Sequence, residues 1–321
     1  MKNRYTIGLG VLGILFLLFF IVDSFLFTGV RPRTIHTDGF QGNYFAKNET
    51  LYKPAIIIIG GGQDGDYWSQ QLANTGFVGL SLPYIRREGL PPLPENIDLA
   101  YFEDAFKWMQ KQPEVDSNKI VLLGASRNAE LALILGATFP NLIHGVIAYS
   151  PSAYAWSNTV LPYNSNEIKA SWVYHGKEIP YIPMDKISGN ETGKINTLAY
   201  WEKGLQKTSF LSQAAIPIEN INGPVLLFSG KDDHVWPSTY MAELLTIRAK
   251  DHDFAYPFQN ISYENAGHLI SGNPEVKTEI ANGKMTVNGK VYEFEFGGTM
   301  EGDFIAKQDA KKKVFKFMND L

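Results

Sequence analysis

"KIVLLGASRNAELALILG", Lys119–Gly136, changes its period halfway along. The first third is a continuous apolar run of strand length, and the second half spaces its apolar residues as a helix does, with Gly124-Ala125-Ser126 between them. The pattern predicts a strand over Lys119–Gly124 that turns sharply into a helix over Arg127–Thr138. Such a junction lifts the Ser126 hydroxyl above the carboxyl edge of a sheet and sets the positive end of a helix dipole behind it. Ser126 is therefore a candidate nucleophile. A serine hydroxyl needs a base beside it, and the base needs a third group to orient it.

A strand that reads as a continuous apolar run is one covered on both faces. The same reading applies to "AIIIIG" (Ala55–Gly60), "VGLSL" (Val78–Leu82), "HGVIAY" (His144–Tyr149) and "PVLLFSG" (Pro224–Gly230). Helical periodicity falls between them, over Asp66–Thr75, Leu99–Gln112 and Ser238–Lys250. Strand alternating with helix predicts an α/β fold, a mostly parallel central sheet with helices on both faces. Catalytic groups in such sheets collect at the carboxyl ends of the strands. "VLLFSGKDDHVWPS" puts Asp232 and Asp233 at one such end, and "NISYENAGHLI" puts His268 just beyond a further short strand. Of the six histidines only His268 has that position. His234 lies within the acid loop, and the other four are more simply surface or packing residues. The order serine, acid, histidine is the one such sheets use for an acyl-transfer triad.

"IIIIGGGQDGDYW", Ile56–Trp68, contains Gly60-x-Gly62-x-x-Gly65 after a strand, a literal match to a dinucleotide-binding fingerprint. That fingerprint calls for an acidic residue at the end of the second strand, and here the second strand ends "GLSLPY" with no acid until Glu88. The preferred reading gives this loop a different anion. Backbone amides at Gly62 and Gln63, with the amide of Arg127 after the nucleophile, would form an oxyanion hole. Dinucleotide binding stays as the rival reading.

Composition narrows the remainder. The chain has 321 residues, 45% hydrophobic and 19% charged, close to globular averages. A net charge of -4 with no basic cluster leaves nothing to neutralise a nucleic-acid backbone. There is no cysteine, which excludes disulfides, thiolate metal sites and a cysteine nucleophile. No cofactor or metal is expected. Asn48, Asn190 and Asn260 begin glycosylation triplets that arise readily by chance.

At the N-terminus Lys2 and Arg4 precede the apolar run Ile7–Val22, which "DSFLF" extends past the length of a bilayer span. No small-x-small cleavage site follows, so the expectation is an uncleaved, single-pass membrane anchor over residues 1–28, with the domain outside the cytoplasm. Residues 29–53 read as a linker with edge strands. Residues 54–321 read as the catalytic domain, with a lid-like insertion at about 157–218 that is aromatic and poor in strand pattern. Near the C-terminus "ANGK" and "VNGK" carry Asn-Gly pairs between alternating apolar residues and predict a small hairpin ribbon within 275–298.

From about Pro54 onward the chain resembles the C-terminal domain shared by acyl-CoA thioester hydrolases and bile acid-CoA:amino acid N-acyltransferases, a branch of the α/β-hydrolases. The resemblance rests on "GFVGLSLPYIRREGLPPLPENIDLAYFEDAFKWM", "KIVLLGASRNAELAL", "SPSAYAW", "SWVYHGKEIPYIP", "GKDDHVWPS", "NAGHLI" and "EFGGTMEGDFIAKQDA". It implies Ser126 as nucleophile, Asp233 rather than Asp232 as the acid, and His268 as base. It also implies an acyl pocket drawn from the insertion, with Trp172, Tyr174 and Tyr181 as substrate-binding residues. Glu130 matches the family too and reads either as a surface carboxylate or as a buried support for the elbow.

The chain departs from the family at Asn128, where the elbow usually has glycine, and it leaves no room for the β-sandwich domain that precedes this one in the animal enzymes. The expected activity is a serine-dependent acyl hydrolase or acyltransferase acting through an acyl-serine on an acyl-CoA or another ester or thioester. An outward-facing domain would not meet cytosolic CoA thioesters, so an extracytoplasmic esterase or peptidase is the alternative. A catalytically silent, lipid-binding hydrolase fold is the third reading, prompted by Asn128.

Overall fold

The computed structural model describes residues 12, 16, 18, 29–36, 39–158, 167–277, 281–287 and 289–321. Its centre is an eight-stranded mixed sheet. Two edge strands, β1 (Arg33–Ile35) and β2 (Gly42–Phe45), are followed by β3 (Lys53–Ile59) and β4 (Val78–Leu82). Beyond the two-residue strand β5 (Ile97–Asp98) come β6 (Val115–Ala125) and β7 (Val146–Tyr149). The short pair β8 (Trp172–Tyr174) and β9 (Lys177–Glu178) precedes β10 (Val225–Gly230) and β11 (Phe258–Tyr263). The sheet order is β1-β2-β4-β3-β6-β7-β10-β11. The pairs from β4 through to β11 are parallel, while β1 and β2 join antiparallel at the β4 edge.

Helices cover both faces, and the strands show why their sequences do not alternate. In β3, Ala55, Ile57 and Ile59 face one core and Ile56 and Ile58 the other; in β6, Ile120 and Leu122 divide from Val121 and Leu123 in the same way. The first core is closed by α2 (Ala100–Gln110), α3 (Arg127–Thr138) and α6 (Ser238–Asp251). The second is closed by α1 (Gly62–Asn74) and α7 (Met300–Asn319). The helix α7 has no counterpart among the sequence expectations. Its buried stripe, Ala306, Ala310, Val314 and Met318, is built half from alanine and interleaved with lysines, so its apolar period is faint.

The insertion folds rather than loops. Its described residues contain β8, which pairs with β5, and β9, which pairs with β8, together with the helices α4 (Thr197–Leu205) and α5 (Thr208–Ala214); residues 159–166 lie outside the described residues. The C-terminal ribbon is β12 (Asn282–Val287) against β13 (Lys290–Glu295). The second Asn-Gly pair falls at its turn, where Gly289 has φ +77° and Asn288 lies outside the described residues. The first pair is not a turn: Gly283 sits in β12 opposite Phe294.

One expectation is corrected outright. Among the described residues no helix is long and apolar enough to cross a membrane. The expected N-terminal transmembrane helix, and the extracytoplasmic placement that followed from it, rested on run length and apolarity alone. A span needs about 20 consecutive helical residues. Of residues 1–28 only Leu12, Phe16 and Leu18 are described, helical and exposed, and the rest of that segment lies outside the described residues.

Candidate active site

Four loops leave the carboxyl ends of β3, β6, β10 and β11 and meet at one edge of the sheet. The loop after β6 is the elbow. Ser126 has φ 56° and ψ -123°, a conformation that costs a non-glycine residue of order 1–3 kcal/mol and persists only where the surroundings enforce it. Here the enforcement is a close approach: a Cβ on Gly124 would lie 2.5 Å from the Asn128 carbonyl carbon, so only glycine lets the strand run this tightly against the helix.

Asn128 itself, the departure from the family pattern, is accommodated. Its amide points at Gly60 in the neighbouring loop, and its Oδ1 accepts a 2.8 Å hydrogen bond from Tyr84 Oη. A Cβ on Gly60 would lie 2.8 Å from Asn128 Cγ, and Gly60 has φ +100°. The loop has thus yielded the space that the asparagine fills. Gly60→Ala is expected to destabilise the fold by about 1–3 kcal/mol through overpacking and backbone strain. Gly62→Ala, which has φ +74° and nothing within 4 Å of its Cβ, should bear the strain alone. Urea unfolding of the two variants checks this, and a Gly60→Ala protein as stable as wild type would contradict it.

The structure brings Ser126, His268 and Asp233 together. His268 Nε2 is 3.0 Å from Ser126 Oγ, and His268 Nδ1 is 2.9 and 3.2 Å from the two Asp233 oxygens. With a carboxylate against Nδ1, that nitrogen carries the proton, and Nε2 is left to accept from the serine. His268 and Asp233 are 8% and 6% exposed. Asp233 is held independently of the histidine: Oδ1 accepts from the amides of Val235 (2.9 Å) and Trp236 (3.2 Å), and Oδ2 from Ser238 Oγ (2.7 Å). Asp232 turns away, accepting from Gly298 N–H at 2.9 Å and meeting His234 Nε2 at 3.0 Å. The two adjacent aspartates of the sequence are thereby told apart.

The loop after β3 supplies Gly62 and Gln63 as the first residues of α1, and Arg127 opens α3. First-turn amides have no intrahelical acceptor, so these N–H groups are available to an anion. No second strand ends in an acid here: β4 runs into Pro83 and Tyr84. A polar cleft of about 260 Å³, lined in part by His36, Gln41, Arg87 and Gly62, opens beside this loop.

Behind the elbow lies a buried polar knot. Glu130 is 0% exposed. Its Oε2 pairs with the Arg127 guanidinium, and its Oε1 accepts from the Trp156 amide (3.1 Å) and the Trp172 indole (2.8 Å). Burial pushes the Glu130 carboxyl up to about 7, against the opposing pull of Arg127 and the two N–H donors. The Arg127 guanidinium also donates to Trp156 O and Ser171 Oγ and lies over the Trp172 ring. Elbow and insertion are therefore riveted together, with Glu130 as the buried support rather than a surface carboxylate.

The insertion residues expected at an acyl pocket are engaged as follows. Trp172 is 1% exposed and packed into the core, its indole N–H taken by Glu130. Tyr174 donates to Glu103 on α2 at 3.0 Å, and Tyr181 is half-buried against the same core. A different aromatic series runs towards His268, with Trp201 of the insertion in its middle. Trp156 meets Trp201 at 4.8 Å, Trp201 meets Trp236 at 5.1 Å, and Trp236 stands edge-on to the His268 ring at 6.1 Å. Trp236 follows Asp233 by three residues, within "GKDDHVWPS", and its place against His268 is set by the fold rather than by a local pattern.

The fold and the elbow define the class, an α/β-hydrolase-like protein. A crystal structure of a dienelactone hydrolase-like promiscuous phosphotriesterase from metagenomic libraries superposes with a TM-score of 0.54 at 14% identity, covering 92% of this chain and 99% of that one, which bears on the fold alone. The sequence profile described as BAAT / Acyl-CoA thioester hydrolase C terminal matches residues 97–321, and the chain belongs to that family. It is 29% identical to acyl-coenzyme A thioesterase 6 of Homo sapiens over 251 residues, 77% of this chain and 56% of that protein. It is 28% identical to the mitochondrial acyl-coenzyme A thioesterase 2 of Rattus norvegicus over 299 residues, 92% of this chain and 61% of that protein. The chain thus spans less than two-thirds of the length of these relatives.

Proposed function

We propose that this protein is a serine-dependent acyl hydrolase of the thioesterase type, working through an acyl-serine. The observation that carries the reading is the continuous hydrogen-bonded line from Ser126 Oγ through His268 to Asp233 at the carboxyl edge of the sheet. His268 Nε2 takes the Ser126 proton as Oγ attacks the carbonyl carbon of a thioester. The tetrahedral oxyanion is met by the amides of Gly62 or Gln63 and of Arg127, each donor worth about 3–4 kcal/mol in comparable sites. Collapse breaks the carbon–sulfur bond, and the imidazolium returns the proton to the departing thiolate. Water, deprotonated by the same imidazole, then attacks the acyl-serine and frees the acid; a different acceptor in place of water would make the protein an acyltransferase. Asp233 keeps the imidazole in the required tautomer.

Acyl-CoA is the proposed substrate class because relatives along most of the chain are acyl-coenzyme A thioesterases by name. The accommodation of Asn128 between Gly60 and Tyr84 supports reading the elbow as competent rather than silent. The proposal does not extend to Trp172 or Tyr174 as substrate contacts.

The test is turnover of an acyl-CoA panel beside aryl esters and peptide amides by the purified protein. Acyl-CoA hydrolysis that exceeds ester and amide hydrolysis in kcat/KM is expected. Preference for esters or amides would move the protein to the esterase or peptidase reading, and a folded protein with no turnover of any of them would leave only binding.

A further inference from the structure

Two buried charged residues outside the reacting groups stand directly under the loop that carries His268. Asp303 and Lys307 lie one turn apart on α7, 4% and 2% exposed, each within reach of the other's charge. Asp303 Oδ1 accepts a 2.7 Å hydrogen bond from the amide of Gly267, the residue immediately before His268. Lys307 Nζ donates to Val276 O at 3.4 Å and lies 3.5 Å from the Cβ position of Gly272, immediately after the single 3₁₀ turn His268–Ser271. One residue of α7 thus grips the entry of the turn and the next, a helical turn on, underlies its exit.

Elsewhere that loop is held by Thr299 Oγ1, which donates to Asn265 O at 3.2 Å, by the His268–Asp233 contact, and by backbone bonds. The His268 amide donates to Phe296 O at 3.0 Å, and the Asp232 amide donates to Ala266 O at 3.0 Å. A buried N–H left without an acceptor is unfavourable, so removing the carboxylate would favour a shift of Gly267 towards another partner. His268 is the next residue, and its Nε2 must stay within hydrogen-bond reach of Ser126.

Resting on the acyl-serine reading above, we propose that Asp303 is a positioning residue, with Lys307 its buried neighbouring charge: through Gly267 it holds the entry of the one-turn helix of His268 so that the imidazole meets Ser126. Neither touches the substrate or the reacting atoms. The requirement is for an acceptor with the reach of aspartate, so asparagine at 303 should serve and shorter residues should not.

The test uses the full chain with a fluorophosphonate probe, whose endpoint amplitude counts folded sites and whose rate constant reports how well His268 is aimed at Ser126. Asp303→Ala and Asp303→Ser are expected to keep the wild-type amplitude and to label about tenfold more slowly or worse, as a misplacement of a fraction of an ångström predicts. On a thioester substrate their kcat should fall by the same factor with KM within about twofold. Asp303→Asn should recover to within about threefold of wild type, and it keeps the test decisive if the shorter variants do not fold. Equal rate constants in wild type and Asp303→Ala would overturn the inference, as would a reduced amplitude at unchanged rate, the sign of a merely structural role. An asparagine variant that folds fully but labels as slowly as alanine would overturn it too. Wild-type protein that takes no label would overturn the reading of Ser126 along with this one, whereas labelled wild type with unchanged variants overturns this one alone.

Discussion

Ser126→Ala is expected to lower thioester turnover by about 10⁴- to 10⁶-fold, leaving only what binding and the oxyanion donors supply. His268→Ala should fall in the same range, and the double variant should lose little more than either single one, because the two act as a unit. The reason is the geometry of a single proton path. At 3.0 Å from His268 Nε2 the serine proton has a receiver, and with Nδ1 against Asp233 that receiver has one orientation. Ser126→Ala should lose little stability, since Ser126 is only partly buried, whereas His268→Ala removes a buried ring from Asp233 and Trp236 and should lose more while staying folded. Steady-state kinetics beside circular dichroism checks the pair of claims. A Ser126→Ala protein with wild-type turnover would contradict the first, and additive losses in the double variant would contradict the second.

The largest effect on stability is expected at Glu130. Glu130→Ala leaves the Arg127 guanidinium, the Trp172 indole and the Trp156 amide without their shared acceptor, and breaking a buried pair in this way costs about 3–5 kcal/mol. Much of that loss is the stranded Arg127, so adding Arg127→Met to Glu130→Ala should restore part of it. Denaturant unfolding of the two single variants and the double variant gives the coupling directly; strictly additive effects would sink the claim.

The same carboxyl imposes a pH dependence. Its folded value is raised to about 7 from an ordinary 4.5, so between those two pH values the native state holds a proton that the unfolded chain has released. Its contribution to stability is therefore greatest below the unfolded value and is lost as pH rises through the folded one. Glu130→Gln should flatten that part of the stability profile. A Gln variant whose profile keeps the wild-type slope across the window would count against burial as the cause.

The central architecture was legible because each relevant strand is buried on both faces and therefore writes its full length in apolar residues; Ile56–Ile59 and Ile120–Leu123 are examples. The positions of Ser126 and Asp233 follow from the same rule, since each lies just past such a strand and parallel strands end on one edge; His268 follows β11, a half-buried edge strand that writes itself less plainly in apolar residues. The choice of Asp233 over Asp232 came from likeness to the family. In the structure it depends on which side chain faces His268 and which faces Gly298, and that depends on chain far away in sequence.

What the sequence concealed was of that long-range kind. Trp172 stands in an aromatic segment that suggested a pocket, yet its partner Glu130 is 42 residues earlier and draws it into the core. The α7 helix hid behind an alanine stripe, and with it Asp303 and its contact to Gly267, 36 residues away. Asn282-Gly283 carries the turn signal of a hairpin but is a strand, because Phe294 opposite it covers the space a side chain would need. Apolarity over Ile7–Val22 describes a run of residues, and a membrane-spanning helix needs more than that.

The central claim is that Ser126 becomes acylated. The most direct measurement is mass spectrometry of the full chain quenched during turnover of a slow acyl thioester, followed by peptide mapping. A mass increase of one acyl group on the peptide containing Ser126, absent from Ser126→Ala, is the predicted result. Turnover by wild-type protein with no adduct on Ser126 at any quench time, together with undiminished turnover in Ser126→Ala, would contradict it.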